Sequence, residues 1–285
     1  MRHTIKHVCI AVLIGALLLL AATLIQRGGR EPQTEALPPL EASYLGTDSG
    51  DAILLTCGGH AMLIDTGYGG TAGQLIRLLQ AKGVDSLDAL VLTNFDEGHV
   101  GGAAELLVQL PVGTVYAPDY TPSTPSEPYR AYLDALAAQG LTAQTPENGE
   151  QFALGEATVT LYPPLQAKYE AGDYDFSLAV SVLHGNFSFL FPGDAGEQRL
   201  GELMAQCPMG HDVLTAPQHG HEAENSDAFF RAVAPRIVVI TGGKDASPDS
   251  AVLDTLADLK ADVYLTGNGA VTITSDGSTL LEASE

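Results

Sequence analysis

Four short stretches of the chain place carboxylate and imidazole side chains directly after apolar runs. "LIDTG" carries Asp65, "LTNFDEGH" carries Asp96, Glu97 and His99, "FPGD" carries Asp194, and "APQHGH" carries His219 and His221. Carboxylate oxygens and imidazole nitrogens are the ligand types that zinc, manganese and iron accept. A bound divalent ion brings the pKa of water from about 15.7 towards about 7, so such a set points to metal-assisted hydrolysis. Each stretch also has a plainer reading of its own. Asp194, just ahead of "AGEQRLGELM", has the position of a helix N-cap. His99 alone fits a core histidine bonded to a backbone carbonyl, Asp65 a carboxylate that ties loop amides, and His219 and His221, flanking Gly220, members of a turn. His60 in "GGHA" and His184 in "LHGN" stand in hairpin-turn stretches and are expected at the surface.

The elements that must position these groups follow from the apolar pattern. "AILLTC" and "AMLIDT" read as short strands, "TAGQLIRLLQAKG" as a helix with a terminal glycine, "LDALVLT" as a buried strand, "GGAAELLVQL" as a helix and "VGTVYAP" as a strand. A proline-punctuated loop then leads into a helix, and "ATVTLYPP", "FSLAVSVL" and "FSFLFPG" read as consecutive strands. Thereafter "EQRLGELMAQ", "SDAFFRAVA" and "PDSAVLDTLADL" are helices between the strands "DVLTAP", "RIVVIT" and "DVYLTG", and "AVTITSD" closes the series. Two β-rich halves that each run into alternating strand and helix make a layered α/β protein with sheets in the middle. The histidine and carboxylate clusters fall after strands, where α/β folds place their chemistry. The chain has no GxGxxG, no GxxxxGK[ST] and no GxSxG motif, which removes the commonest nucleotide-binding and serine-hydrolase readings.

Of 285 residues 45% are hydrophobic and 17% charged, enough to bury a sizeable core. The formal charge is -22; Arg2, Lys6, Arg27 and Arg30 stand in a first segment without Asp or Glu, so the rest carries nine basic against 35 acidic side chains. A surface this negative repels phosphate backbones and disfavours stable nucleic-acid binding. The apolar run from Val8 to Ile25, eighteen residues between basic flanks, nearly spans a hydrocarbon core of roughly 30 Å. Residues 1–30 are therefore expected to be a signal anchor or single transmembrane segment and 31–41 a linker. Residues 42–285 would form one domain on the outer side of the cytoplasmic membrane, or secreted if the segment is cleaved. Cys57 and Cys207 leave two options open, a disulfide in an exported domain or two buried thiols.

The motifs together resemble the metallo-β-lactamase superfamily, and within it the extracytoplasmic domain of the ComEC competence proteins. "YLGTDSGDAILL" is similar to that family's FLDVGQGDAILI, "AMLIDTG" to LIDTG, "LTNFDEGHVGG" to THxDxDHxGG, "FLFPGD" to LLTGD, and "LTAPQHGH" to LKVPHHGS. The resemblance implies an αββα four-layer sandwich with a metal cleft at one edge of two sheets. It also implies a metal-dependent hydrolase of phosphoesters or other esters and points towards nucleic-acid chemistry; the acidic charge argues against that and leaves a small-molecule or cell-envelope substrate. By the same resemblance Asp96, His99, Asp194 and His219 are the metal ligands, and Asp65 and Asp194 are the carboxylates with a catalytic role. The departures lie on the ligand positions: Asn94 and Gln218 replace histidines, Gly98 replaces an acid, and "DASPDS" replaces a late Gly-His-Pro. Each of two metal positions has lost ligands, which leaves one zinc or manganese ion, or none. The alternative function is a catalytically inactive domain that binds, senses or assembles at the cell envelope.

Overall fold

Runs such as "AILL" and "ALVL" lack any polar alternation, the mark of strands buried on both faces. In the computed structural model, which describes residues 36–45, 50–170, 172–245 and 247–284, they lie inside two stacked sheets. The first half of the chain gives β1 (Leu40–Tyr44), β2 (Ile53–Cys57), β3 (His60–Ile64), α1 (Ala72–Ala81), β4 (Leu87–Val91), α2 (Glu97–Val100), α3 (Ala103–Gln109), β5 (Val112–Tyr116), α4 (Glu127–Gln139) and β6 (Ala143–Gln144). The second half gives β7 (Glu150–Leu154), β8 (Ala157–Tyr162), β9 (Ala179–His184), β10 (Phe187–Phe191), α5 (Glu197–Gln206), β11 (Val213–Thr215), α6 (Ser226–Val233) and β12 (Ile237–Ile240). It ends with α7 (Ser250–Leu259), β13 (Asp262–Leu265), β14 (Val271–Ser275) and β15 (Leu280–Ser284).

One sheet has the order β15-β14-β1-β2-β3-β4-β5-β6 and the other β13-β12-β11-β10-β9-β8-β7. Between them Ile53, Leu55, Met62, Ile64 and Val91 meet Val159, Leu161, Val180, Phe189, Phe191 and Val239 in a core with almost no exposure. The alternate residues of the same strands face outward but are covered as well. Leu54, Leu63 and Leu90 pack under Leu75, Leu106 and Leu136 of the helices on the first sheet. Leu190, Leu214 and Val238 pack under Leu203, Phe230 and Leu256 on the second. Helices thus close both outer faces, and the architecture is the four-layer αββα sandwich that the resemblance implies.

Several edges differ from the sequence reading. Leu40, inside the stretch read as a linker, is fully buried and pairs with Cys57 and Ser275, so β1 begins there. The edge strands β6, β7 and β15 carry too little apolar pattern to be read beforehand. His184 is buried rather than at the surface, because its hairpin packs on the turn at Gly277. Its ring meets Ser275 Oγ at 3.0 Å and the Pro38 carbonyl at 3.1 Å. The apolar run of residues 8–25 lies outside the described residues; among the described residues no helix is long and apolar enough to cross a membrane.

The site follows from strand direction. β3 and β4 run parallel and adjacent in the first sheet, as do β10, β11 and β12 in the second. The loops leaving their carboxyl ends carry Asp65, Asn94–His99, Asp194, His219 and Thr241, and these are the loops that meet.

Cys57 and Cys207 are separate buried thiols, one in the inter-sheet core and one under α5 and α6. Burial pushes both up, Cys207 to about 12. Iodoacetamide at pH 8 is therefore expected to leave both unmodified in the native protein and to alkylate both after unfolding, as read by peptide mass mapping. Rapid native labelling of either would contradict this packing.

Candidate metal centre

Asp65 follows β3 directly, with φ at 57° in the left-handed region, which aspartate tolerates better than most residues. Its carboxylate accepts the Thr93 N–H at 2.7 Å and the Thr93 hydroxyl at 2.6 Å, fastening the loop after β3 to the loop after β4. It also accepts from His99 Nδ1 at 2.8 Å. His99 stands on the short helix α2, and its carbonyl accepts both the Thr66 N–H at 2.8 Å and the Thr66 hydroxyl at 2.7 Å. The other ring nitrogen, Nε2, donates to Asp194 Oδ2 at 2.9 Å. Asp194 reaches that point because Gly193 holds φ at 59° and has no side chain; a Cβ there would lie 2.8 Å from Thr93 Cβ. The capping reading of Asp194 fails: α5 is capped by Gly196, with no side-chain bond.

The imidazole of His99 is 1% exposed and lies between two buried carboxylates. Burial alone would depress it, but Asp194 and Asp65 outweigh burial and hold it well above its ordinary value. Asp194 is lowered in turn, the charge of His99 overcoming desolvation.

His219 lies in a single turn of 3-10 helix, Pro217–Gly220, where Gln218 and His219 take φ of 47° and 53°. Each such left-handed non-glycine residue costs about 1–2 kcal/mol. Three of the five among the described residues, Asp65, Gln218 and His219, sit at this site, and strain of this kind concentrates where function fixes a geometry. His219 Nδ1 lies 2.9 Å from Thr241 Oγ1, and Nε2 faces Asp194 Oδ1 at 3.8 Å. His99, Asp194 and His219 each offer one donor atom, all within 4.8 Å of one another. Two imidazoles and a carboxylate, with His219 at the open side, fit a divalent transition metal with room for a further ligand.

Asp96 is not in that cluster. It is half-buried at the N-terminus of α2, where its N–H donates to Asn94 Oδ1 at 2.9 Å. Burial and the charges of Asp194, Asp173 and Glu97 raise its carboxyl against the pull of His99. Glu97 is exposed, and His221 turns to Asp249 at 3.6 Å. The replaced positions are legible in the geometry. Asn94 is buried with Nδ2 unpartnered. Gly98 offers no ligand atom, and a Cβ there would meet the Tyr68 ring at an ordinary contact distance of 3.4 Å. Sequence reasoning passed over Asp51, which is buried with Oδ1 unpartnered, 3.6 Å from His219 Nδ1. It forms a second group of potential donors with Asp65 and His99. The available signal was an acid directly ahead of the apolar run of β2, in a stretch that carries the resemblance.

Comparison with known proteins bears on the family and the fold. The family model described as Metallo-beta-lactamase superfamily matches residues 45–267. "ComE operon protein 3" of Bacillus subtilis is 28% identical over 172 residues, covering 60% of this chain and 22% of that protein. "Recombination protein 2" of Haemophilus influenzae is 27% identical over 217 residues, covering 73% of this chain and 25% of that protein. The chain thus spans about a quarter of the length of these curated relatives. Among solved structures, the metallo-beta-lactamase fold protein YhfI from Bacillus subtilis superposes with a TM-score of 0.57 at 10% identity, covering 86% of this chain and all of that one, a likeness of fold.

Replacing His99 by Leu leaves Asp65 and Asp194 buried without their shared cation, so a loss of about 3–5 kcal/mol is expected in urea unfolding. His219→Leu, at a side chain 24% exposed, should cost much less. Equal, small effects from both would contradict the bridging role of His99.

Proposed function

The chain belongs to the metallo-beta-lactamase superfamily, and on that premise we propose that it is a metal-dependent hydrolase working with one divalent ion, zinc or manganese. His99, Asp194 and His219 are its ligands. One observation carries this reading. The outer nitrogen of each imidazole is fixed, His99 by Asp65 and His219 by Thr241, while both Nε2 atoms face Asp194. Outer partners of this kind set the tautomer and aim of metal-binding histidines. The chemistry such an ion supplies is Lewis acidity and a lowered pKa of water. Asp65 then orients His99, and Asp194 contributes its carboxylate to the ion. Asp96, on the family's ligand position but outside the cluster, takes the role of handling protons at the mouth of the site.

A small or envelope-derived phosphoester or other ester is the proposed substrate. The words competence and recombination belong to the relatives' names; against carrying long nucleic acid over to this chain stands its net charge of -22. Residues 8–25 are proposed to anchor the domain outside the cytoplasmic membrane. A second reading, a metal-free binding or sensing domain, is favoured by one contact. The His99–Asp194 bond at 2.9 Å satisfies Asp194 with a proton where the ion would be, while Nδ1 serves Asp65.

Elemental analysis after expression with zinc and manganese separates the two. The hydrolase reading expects about one ion per chain, a rise in Tm on adding zinc, and loss of both in His219→Ala and Asp194→Asn. Less than about 0.2 ion per chain with an unchanged Tm supports the metal-free reading. The restored Asn94→His/Gly98→Asp/Gln218→His protein should hold more metal than the wild type.

A further inference from the structure

We propose that the loop after β12, "TGGKD", is an oxyanion subsite that seats a phosphate or comparable compact anion of the substrate beside His219. The proposal takes its placement from the one-ion reading but is testable without metal. A cleft beside His219 is lined on one wall by Thr241, Gly243 and Lys244 and on the other by Gly267 and Asn268. No Asp or Glu lines it, in a chain with 35 of them, and Lys244 is its one Lys or Arg. The Lys244 side chain is exposed and makes no ion pair among the described residues. The backbone N–H groups of Gly243 and Lys244 likewise have no hydrogen-bond partner among the described residues. An ammonium group, two open N–H donors and the Asn268 amide on walls free of carboxylate make a donor set for an oxyanion.

The loop is also held in place. Gly242 N–H donates to Thr266 Oγ1 at 3.0 Å, and that hydroxyl donates back to the Gly242 carbonyl at 3.1 Å. Gly267 lets the two walls touch: a Cβ there would stand 2.4 Å from the Gly243 carbonyl oxygen. Thr241, the first residue of the loop, is the residue that meets His219 Nδ1. The anion seat and the candidate ligand therefore share one rigid frame, and a rigid frame is what positions a substrate against a reacting centre. The overall charge gives the feature its selectivity. A protein at -22 repels small anions at long range, so an anion is retained only where local donors outweigh the field.

The test is isothermal titration of the full chain in detergent with inorganic phosphate, in EDTA, with acetate as comparator. Saturable phosphate binding in the millimolar range, weakened about tenfold or more in Lys244→Glu and weaker for acetate, is expected. The metal content of Lys244→Glu, measured without chelator, should equal that of the wild type. Absence of saturable phosphate binding, or equal binding by wild type and Lys244→Glu, overturns the proposal. Phosphate binding in a chain that never takes up metal would refute the hydrolase reading and leave the subsite standing. Metal uptake with phosphate binding indifferent to Lys244 would do the reverse.

Discussion

The structure depends on one buried histidine held between two buried carboxylates. Asp65 and Asp194 belong to loops of different sheets, are 1% and 6% exposed, and each is bonded to His99. Two carboxylates taken out of water in this way need hydrogen-bond donors in place of the water they have lost. The ring of His99 meets that requirement and thereby ties the loops after β3, β4 and β10 into one body. The chain therefore folds around this centre with Asn94, Gly98 and Gln218 on the positions where the resembled motif has ligands.

Around this centre the remaining parts have different histories in the geometry. His219 is held in a left-handed turn and tied to Thr241, a costly arrangement for a residue with no further task. Asn94 and Gly98 sit where the resembled motif has ligands, one with an unpartnered amide and one with no side chain. One side of the site thus has oriented donors, while the other has a buried amide and a glycine. From His219 the cleft continues to Lys244, so a cationic side chain shares a cleft with that histidine in an acidic protein.

The central strands were legible because their apolar runs reflect burial on both faces, and the four-layer order followed from the alternation of those runs with amphipathic helices. Edge strands such as β7 and β15 were not, since a strand with one exposed face and few apolar residues differs little from a loop. His99, Asp194 and His219 were readable from residue type and position after strands. The exclusion of Asp96 from the cluster was not, because it depends on where α2 turns: Asp96 caps that helix, and His99, three residues on, points inward. Asp51 and His184 were missed for a related reason. Their burial comes from contacts distant in sequence, His219 in one case and Pro38 and Ser275 in the other, to which no local pattern corresponds.

X-ray absorption spectroscopy of the zinc-loaded protein tests the central claim most directly, since it reads the ligand set and the number of ions together. One ion bound by two imidazole nitrogens and carboxylate oxygen, without metal–metal scattering and with one imidazole lost in His219→Ala, is the predicted result. A metal–metal contribution, a set without imidazole, or a spectrum unchanged in His219→Ala would contradict it.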